Sequence, residues 1–162
     1  MESRWNLVEE PESEQWLARR RMAAAVRSLI EACICTDVSG DELGTAADSV
    51  EELAKTLKQR QGPTFFEAIR DGSYGVNRGV YADRNPIVGH CNPLSPPMMM
   101  YSDGPKTIGE VTLGTAYEGI PGFLHGGFVA ALLDQVFGLL MIREGLNSLT
   151  GKLEIKYLKP TP

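Results

Sequence analysis

One carboxylate and one glycine turn are the residues of this chain best suited to chemistry. His125, Gly126 and Gly127 stand directly before the apolar run 128–142, in which Asp134 is the only charged residue. The run predicts a helix that is apolar on every side, and such a helix is normally buried. Burying an ionised Asp costs several kcal/mol unless it is paired, hydrogen-bonded or neutralised. Asp134 and the glycine turn are therefore the candidate site residues.

The glycine turn could bind a developing negative charge. Backbone N–H groups at a helix N-terminus are unpaired and attract anions, and glycine lets a ligand approach the backbone closely. Gly126 and Gly127 could therefore polarise a carbonyl oxygen, as an oxyanion hole does. The alternative is that both glycines serve only a tight turn from strand to helix. His125 either lines the carbonyl site or packs at the helix entry.

Asp134 could act as a general base on water or as a direct nucleophile. The alternative is a buried cap or ion-pair partner. Asp134 follows Gly126 by eight residues, which is about 12 Å along a helix, so it cannot reach the start of its own helix. If both groups act on one carbonyl, they must come from different copies, related by a two-fold axis that sets the helices antiparallel. This hypothesis requires a dimer.

Two further polar residues flank these candidates. Thr150 begins an alternating segment, where its hydroxyl could hold the attacking water, hydrogen-bond Asp134, or belong to an ordinary strand. Glu118 precedes the turn-forming stretch 119–122 and is either a rim residue of the site or simply solvated.

Composition excludes several classes of protein. The 162 residues suggest one domain, and the net charge of -5 with scattered Lys and Arg lacks the basic face of a nucleic-acid binder. Three cysteines without a CxxC pair and only two histidines argue against a disulfide framework and a metal site, and favour a reducing cytosol. Residues 1–5 lack signal-peptide features, and the run 127–142 is short for a bilayer span. We expect a cytoplasmic protein without membrane insertion.

Periodicity divides the chain into an N-terminal helical extension, 1–62, and an α+β domain, 63–162. In the extension we expect a helical hairpin, and in the domain we expect loops before 107, a hairpin turn at Asp103 and Gly104, and an apolar helix on an antiparallel sheet. The predicted helices cover 12–35, 43–60 and 126–142, and the predicted strands cover 98–101, 107–117 and 149–158.

The predicted strands are too few for the helix they must cover. A helix that is apolar all round needs neighbours on all sides, and two or three strands cannot wrap it. The sequence stops at Pro162, soon after the last predicted strand. We therefore expect either further strands in a longer natural protein or a second subunit over the exposed side.

Residues 85–162 resemble the hotdog-fold thioesterase superfamily, in its phenylacetate-pathway-like acyl-CoA thioesterase branch. The stretches that carry the resemblance are NPLSPP at 92–97, YEGIPGFLHGG at 117–127, AALLD at 130–134 and TGKLEIKYLKP at 150–160. The resemblance implies a long central helix wrapped by a curved antiparallel sheet. It also implies homodimers or homotetramers with active sites at subunit interfaces, and a C-terminus that lacks the last strands.

The resemblance implies residue roles as well. Asp134 corresponds to the base or nucleophile, Thr150 to the Ser or Thr that assists it, and Gly126 to the residue whose N–H polarises the thioester carbonyl. Some relatives carry Asn or Gln before the turn; here that role is unfilled or passes to Glu118. His125, Gly127 and Phe128 would contact the substrate.

The implied activity is hydrolysis of an acyl-CoA or aryl-CoA. The acyl chain would lie beside Phe128, Leu132 and Val136, and coenzyme A would be part of the substrate rather than a cofactor. One alternative is a non-catalytic acyl-CoA-binding module. A hotdog dehydratase is less favoured, because His125 lies too far along the helix to pair with Asp134.

Overall fold

The computed structural model describes residues 10–75, 78–146 and 148–162. The chain forms two compact units, one comprising the residues up to Ile34 together with Gly79–Pro162, and the other Cys35–Arg78. Residues 1–5, on which the signal-peptide argument rests, lie outside the described residues. The first unit contains most of α1 (Glu14–Cys35) and also α5 (Gly126–Arg143), so the first helix shares a unit with the candidate site. The domain boundary at 62 and the helical hairpin stay predictions.

The second unit contains α2 (Gly40–Lys58) and α3 (Phe65–Asp71). Both helices begin with a capping box, in which the side chain at the N-cap and the Glu three residues later each accept from the other's backbone N–H. The N-caps are Ser39 and Thr64. The prediction of a helix over 43–60 is confirmed, but the helix starts earlier because Ser39 caps it.

Two antiparallel strand pairs lie between the helices of the first unit. The short helix α4 (Arg78–Ala82) comes before them in the chain. β1 (Met99–Asp103) pairs with β2 (Lys106–Glu110), with Asp103 opposite Lys106. Gly104 has a φ of 55°, which confirms the predicted turn, because glycine adopts this left-handed conformation without steric cost. β3 (Glu118–Ile120) pairs with β4 (Phe123–Leu124), and this pair leads directly into α5.

The predicted strand over 107–117 is wrong beyond Glu110. The chain leaves the hairpin there and forms a 3-10 turn at Thr115–Tyr117. Glu31 of α1 accepts a hydrogen bond from Ala116 N at 3.4 Å, so a contact with α1 takes the place of strand pairing. Alternating apolar residues continue past Glu110, but the strand does not.

The core of the first unit lies between α5 and the β1–β2 hairpin. Leu132, Val136 and Leu139 recur at the spacing of one helix face and all belong to this core, but only Leu139 of α5 is fully buried. The fully buried core cluster consists of Val88, Met98, Met100 and Leu139.

The expectation that α5 is buried on every side is wrong for a single copy of the chain. Leu133, Phe137 and Ile142 are 40%, 52% and 51% exposed, because the hairpin covers only one face. By length and composition alone α5 could cross a bilayer, a test that the core helices of soluble proteins also pass. The α+β class is correct, with the long apolar helix and the small antiparallel sheets as its parts.

The predicted strand over 149–158 is not formed. The described residues 148–162 contain no strand, since no neighbouring strand supplies the hydrogen bonds of a ladder. Their side chains are mostly exposed, with Leu149 97% exposed. A single backbone bond from Leu124 N to Thr161 O, of 2.9 Å, joins the end of this segment to β4.

Candidate active site

The start of α5 is built by the three residues of the glycine turn. His125 is the N-cap, with φ −63° and ψ 129°, and its Nδ1 accepts a hydrogen bond from Gly127 N at 3.0 Å. Among the described residues no acceptor receives the Gly126 N–H. The sequence predicted that the backbone N–H groups of both Gly126 and Gly127 could bind a carbonyl oxygen. In the structure the Gly127 N–H is engaged by His125, so the open donor of the turn is Gly126.

Backbone contacts hold this turn from the side of β3. His125 N donates to Tyr117 O at 2.9 Å. A Cβ on Gly119 would lie 2.9 Å from His125 Cα, so this position has no room for a larger residue. Glu118 is exposed at the start of β3, which leaves both of its sequence interpretations open.

The C-terminal segment returns to the same turn. Tyr157 donates from its phenol oxygen to Gly126 O at 2.8 Å. Together the turn and the segment border an open cleft of about 740 Å³. The cleft is lined by Gly119, Ile120, Phe123, Leu124, residues 125–127, Val129 and residues 157–161. A molecule in this cleft would therefore lie beside the Gly126 amide.

The structure brings together Asp134 and Thr150, two of the candidate site residues from the sequence. Thr150 donates from Oγ1 to Asp134 Oδ1 at 2.7 Å. Asp134 is half-buried on α5, whereas Thr150 is exposed. The segment thus runs antiparallel to α5, with Thr150 beside Asp134 and Tyr157 beside the helix start. The sequence left three interpretations of the Thr150 hydroxyl open, and the structure shows one of them, the hydrogen bond to Asp134.

Neighbouring contacts fix α5 along its length. Asn85 donates from Nδ2 to Gln135 Oε1 at 3.0 Å, next to Asp134 in the chain. Phe128 packs edge to face on Tyr117, with ring centroids 4.8 Å apart. Burial raises the pKa of Tyr117, partly opposed by the charge of Arg27, so its phenol stays protonated at neutral pH.

The predicted acyl-chain surface stays a prediction. Leu132 and Val136 pack against the core cluster on one side and are half-buried. They face the hairpin because they share the helix face of Leu139. Phe128, on another part of α5, remains next to the turn, where it also contacts His125 at 6.4 Å between ring centroids.

The sequence reasoning missed a buried polar cluster centred on Asp83. The Asp83 side chain is almost fully buried and its Oδ2 accepts from Trp16 Nε1 at 2.6 Å and from Arg20 Nε at 2.7 Å. Its Oδ1 accepts from His90 N at 2.7 Å, and Cys91 Sγ lies 3.1 Å from Oδ2. Asp83 thereby ties α1 to the loop that precedes the hairpin. No motif in the sequence marks this pairing, because its partners lie up to 67 residues apart.

The cluster changes the ionisation of its members in a consistent way. Burial acts to raise the pKa of Asp83, but the hydrogen bonds from Arg20, Trp16, Cys91 and the His90 N–H outweigh it and lower the pKa. Burial and the nearby carboxylate raise the pKa of Cys91 to about 12. Burial and the charge of Arg20 lower the pKa of His90. At neutral pH Asp83 is therefore a carboxylate and Cys91 is a thiol.

The fold is that of a known superfamily. A crystal structure of a thioesterase superfamily protein superposes on this chain with a TM-score of 0.80 and 27% sequence identity, over 100% of this chain and 77% of that one. The chain has the hotdog thioesterase fold. The sequence resemblance to this superfamily is thereby confirmed, while the particular branch stays a prediction.

Two curated relatives match a shorter part of this chain than the crystal structure does. The acyl-coenzyme A thioesterase THEM4 of Mus musculus is 39% identical over 57 residues, which are 35% of this chain and 24% of that protein. THEM4 of Rattus norvegicus is 37% identical over 65 residues, which are 40% of this chain and 28% of that protein. The match thus spans about a quarter of the length of these relatives. No protein-family model matches the chain.

Proposed function

We propose that this chain hydrolyses the thioester of an acyl-CoA or aryl-CoA to the free acid and coenzyme A. The observation that carries the proposal is the 2.7 Å hydrogen bond from Thr150 to Asp134, on a helix whose start presents an open amide at Gly126. The thioesterase fold and the THEM4 relatives support the same reaction class. Coenzyme A is a substrate part, and the mechanism requires neither a metal nor a cofactor.

In this mechanism the thioester carbonyl oxygen accepts a hydrogen bond from the Gly126 N–H of one copy. The N–H sits at a helix N-terminus, where the aligned peptide dipoles favour the negative charge that develops on that oxygen. The cleft beside Gly126 and Tyr157 receives the substrate. Its lining is largely apolar but includes Lys159, which suits a ligand with an apolar arm and anionic groups.

Asp134 of a second copy acts as the general base. It removes a proton from water as the water oxygen attacks the carbonyl carbon, giving a tetrahedral oxyanion held at Gly126. The C–S bond then breaks, and the sulfur of coenzyme A takes the proton back from Asp134. Thr150 keeps its hydroxyl on Oδ1, which orients the carboxylate and leaves Oδ2 for the water.

A dimer is part of this proposal for two reasons. The separation of about 12 Å along α5 keeps Asp134 away from the turn of its own helix. In addition, Leu133 and Phe137 are 40% and 52% exposed on a helix that is apolar all round, and a second α5 would cover them. Two antiparallel helices would set each Asp134 near the other copy's Gly126.

The proposal is tested by a thiol-release assay on the intact protein, across acyl-CoA chain lengths and an aryl-CoA. We expect release of coenzyme A by the wild type and its loss in Asp134→Asn, which keeps the side-chain shape but removes the base. Calorimetry with the same ligands separates the alternative function. Binding without thiol release in the wild type would contradict the hydrolase and support an acyl-CoA-binding module.

A further inference from the structure

The helix α2 carries an apolar stripe that the other described residues of its own unit leave exposed. Leu43, Val50, Leu53 and Leu57 are 44%, 43%, 46% and 54% exposed. No residue of α2 is buried. With Ala46 these residues recur at alternating intervals of three and four, which is the heptad spacing of a helix that packs against another helix.

A helix of this length needs packing to persist in water. Isolated helices of about 12–15 residues are marginal even with good helix formers, and the 19 residues of α2 include Gly44 and several β-branched or short polar residues. The capping box at Ser39 stabilises only the first turn. The exposed stripe is therefore the surface on which the stability of α2 depends.

The charge pattern of α2 selects an antiparallel partner. The first turn is acidic, with Asp41 and Glu42, and the last turn is basic, with Lys55 and Lys58. The stripe is also symmetrical about Val50, since Leu43 and Leu57 each lie seven residues from it. Reversing one copy against another brings the acidic end of each helix to the basic end of its partner. A parallel pair would set like charges together.

We propose that α2 packs antiparallel on α2 of a second copy of this chain, through the stripe formed by Leu43, Ala46, Val50, Leu53 and Leu57. Ala47, Ser49 and Ala54, which flank the middle of the stripe, are small and uncharged, so two helices can approach closely there. This contact is separate from α5 and from the reaction proposed above.

Cross-linking tests the pairing and its direction. In a background of Cys33→Ser and Cys35→Ser, differently tagged Leu43→Cys and Leu57→Cys chains are mixed and treated with a short bis-maleimide. Residues 43 and 57 lie about 21 Å apart along one helix, so the mixed product forms only if the helices are antiparallel. Glu51→Cys, on the polar face, is the control for random collisions. We expect the mixed product well above this control.

Three outcomes would overturn the proposal. Cross-linking of Leu43→Cys mainly to itself would indicate a parallel pair. A yield equal to the Glu51→Cys control would indicate that no second α2 is present. Val50→Cys joining the native Cys33 or Cys35 within one chain would show that α1 covers the stripe.

Sedimentation provides an independent measurement. Leu53→Gln together with Leu57→Gln keeps good helix formers but removes two apolar groups, and should weaken self-association by about tenfold or more. The matched control, Thr45→Gln with Glu51→Gln, changes two exposed residues outside the stripe and outside both charged ends, and should leave association unchanged. Equal association in both double variants would contradict the proposal. Thiol release tests the active site separately, since none of these residues belongs to it.

Discussion

The Thr150 hydroxyl lies 2.7 Å from Asp134 Oδ1, across sixteen positions of sequence. A hydroxyl donor at this distance stabilises the charged carboxylate and fixes its rotation. The contact holds the Asp134 carboxylate in one orientation, as the proposed general base requires.

Removing this hydroxyl should slow hydrolysis without removing the base. Thr150→Val keeps the side-chain shape, and the loss of a hydrogen bond to a charged group, about 1.5–3 kcal/mol, corresponds to about 10- to 100-fold in kcat. Thr150→Ser is the control and should keep most of the rate. Steady-state thiol release measures both. Equal rates for the Val variant and the wild type would remove Thr150 from the mechanism.

Among the polar residues, Asp83 should cause the largest loss in the free energy of unfolding when it is substituted. Its side chain is 1% exposed and its partner Arg20 is 18% exposed, so Asp83→Asn removes a carboxylate that lies 2.7 Å from a largely buried guanidinium. Breaking a buried ion pair from one side costs about 3 kcal/mol or more, which urea unfolding followed by circular dichroism would detect.

The control for Asp83 is the exposed pair of Lys55 and Glu52, whose side chains are 64% and 72% exposed. Glu52→Gln should change the free energy of unfolding by about 0.5 kcal/mol or less, because solvent screens such pairs. Similar decreases in the free energy of unfolding for Glu52→Gln and Asp83→Asn would show that the buried cluster stabilises the fold no more than an exposed ion pair does.

Acid should weaken the fold through the same carboxylate. The pKa of Asp83 is lowered in the folded state, so its stabilisation is present above the unfolded pKa of about 3.9 and is lost as pH falls through the folded pKa. We expect the free energy of unfolding to fall from about pH 4 downward. The fall should be smaller in Asp83→Asn, and identical acid profiles would contradict the assignment.

The three cysteines should differ strongly in reactivity. All are free; Cys33 and Cys35 are exposed, whereas burial and Asp83 raise the pKa of Cys91 to about 12. Because the thiolate is the reacting form, iodoacetamide at pH 8 should modify Cys33 and Cys35 well before Cys91. Peptide mass spectrometry reads the order. In urea Cys91 should react like the others, and rapid native labelling of Cys91 would be evidence against the buried cluster.

The sequence was most informative where local chemistry decides the structure. The turn at Gly126 and the helix after it were predicted within one residue, because glycines followed by an unbroken apolar run leave few alternatives. Gly104 marked the hairpin for a similar local reason. The helix starts at Ser39 and Thr64 could also have been found, since both show the Ser/Thr-x-x-Glu pattern of a capping box.

The failures lie where tertiary contacts decide. Strand periodicity continues from Val111 to Tyr117, but Glu31 of α1 binds the chain there and the ladder ends. The alternation over 149–158 has no neighbouring strand to pair with in the part of the chain that the structure describes. The buried cluster at Asp83 could not be predicted from local sequence, because its hydrogen bonds come from Trp16 and Arg20, which are distant in sequence. The engagement of the Gly127 N–H by His125 likewise depends on one side-chain rotamer.

The claim that one copy supplies Asp134 and another supplies Gly126 is tested most directly by mixing two inactive variants. Asp134→Asn removes the base. Gly126→Pro removes the N–H at the first helical position, where proline fits the helix backbone, and His125 already has the extended backbone that precedes proline. The added Cβ would lie 3.2 Å from the Tyr157 ring, so this side chain must shift by a few tenths of an ångström. In a random mixture, half of the dimers contain both variants, and each of these has one intact site.

Thiol release should therefore recover to about a quarter of the wild-type rate after the two variants are unfolded and refolded together. Each variant refolded alone is the control and should stay inactive. No recovery in the mixture, with both variants folded and mixed dimers verified by tags, would contradict an active site shared between copies.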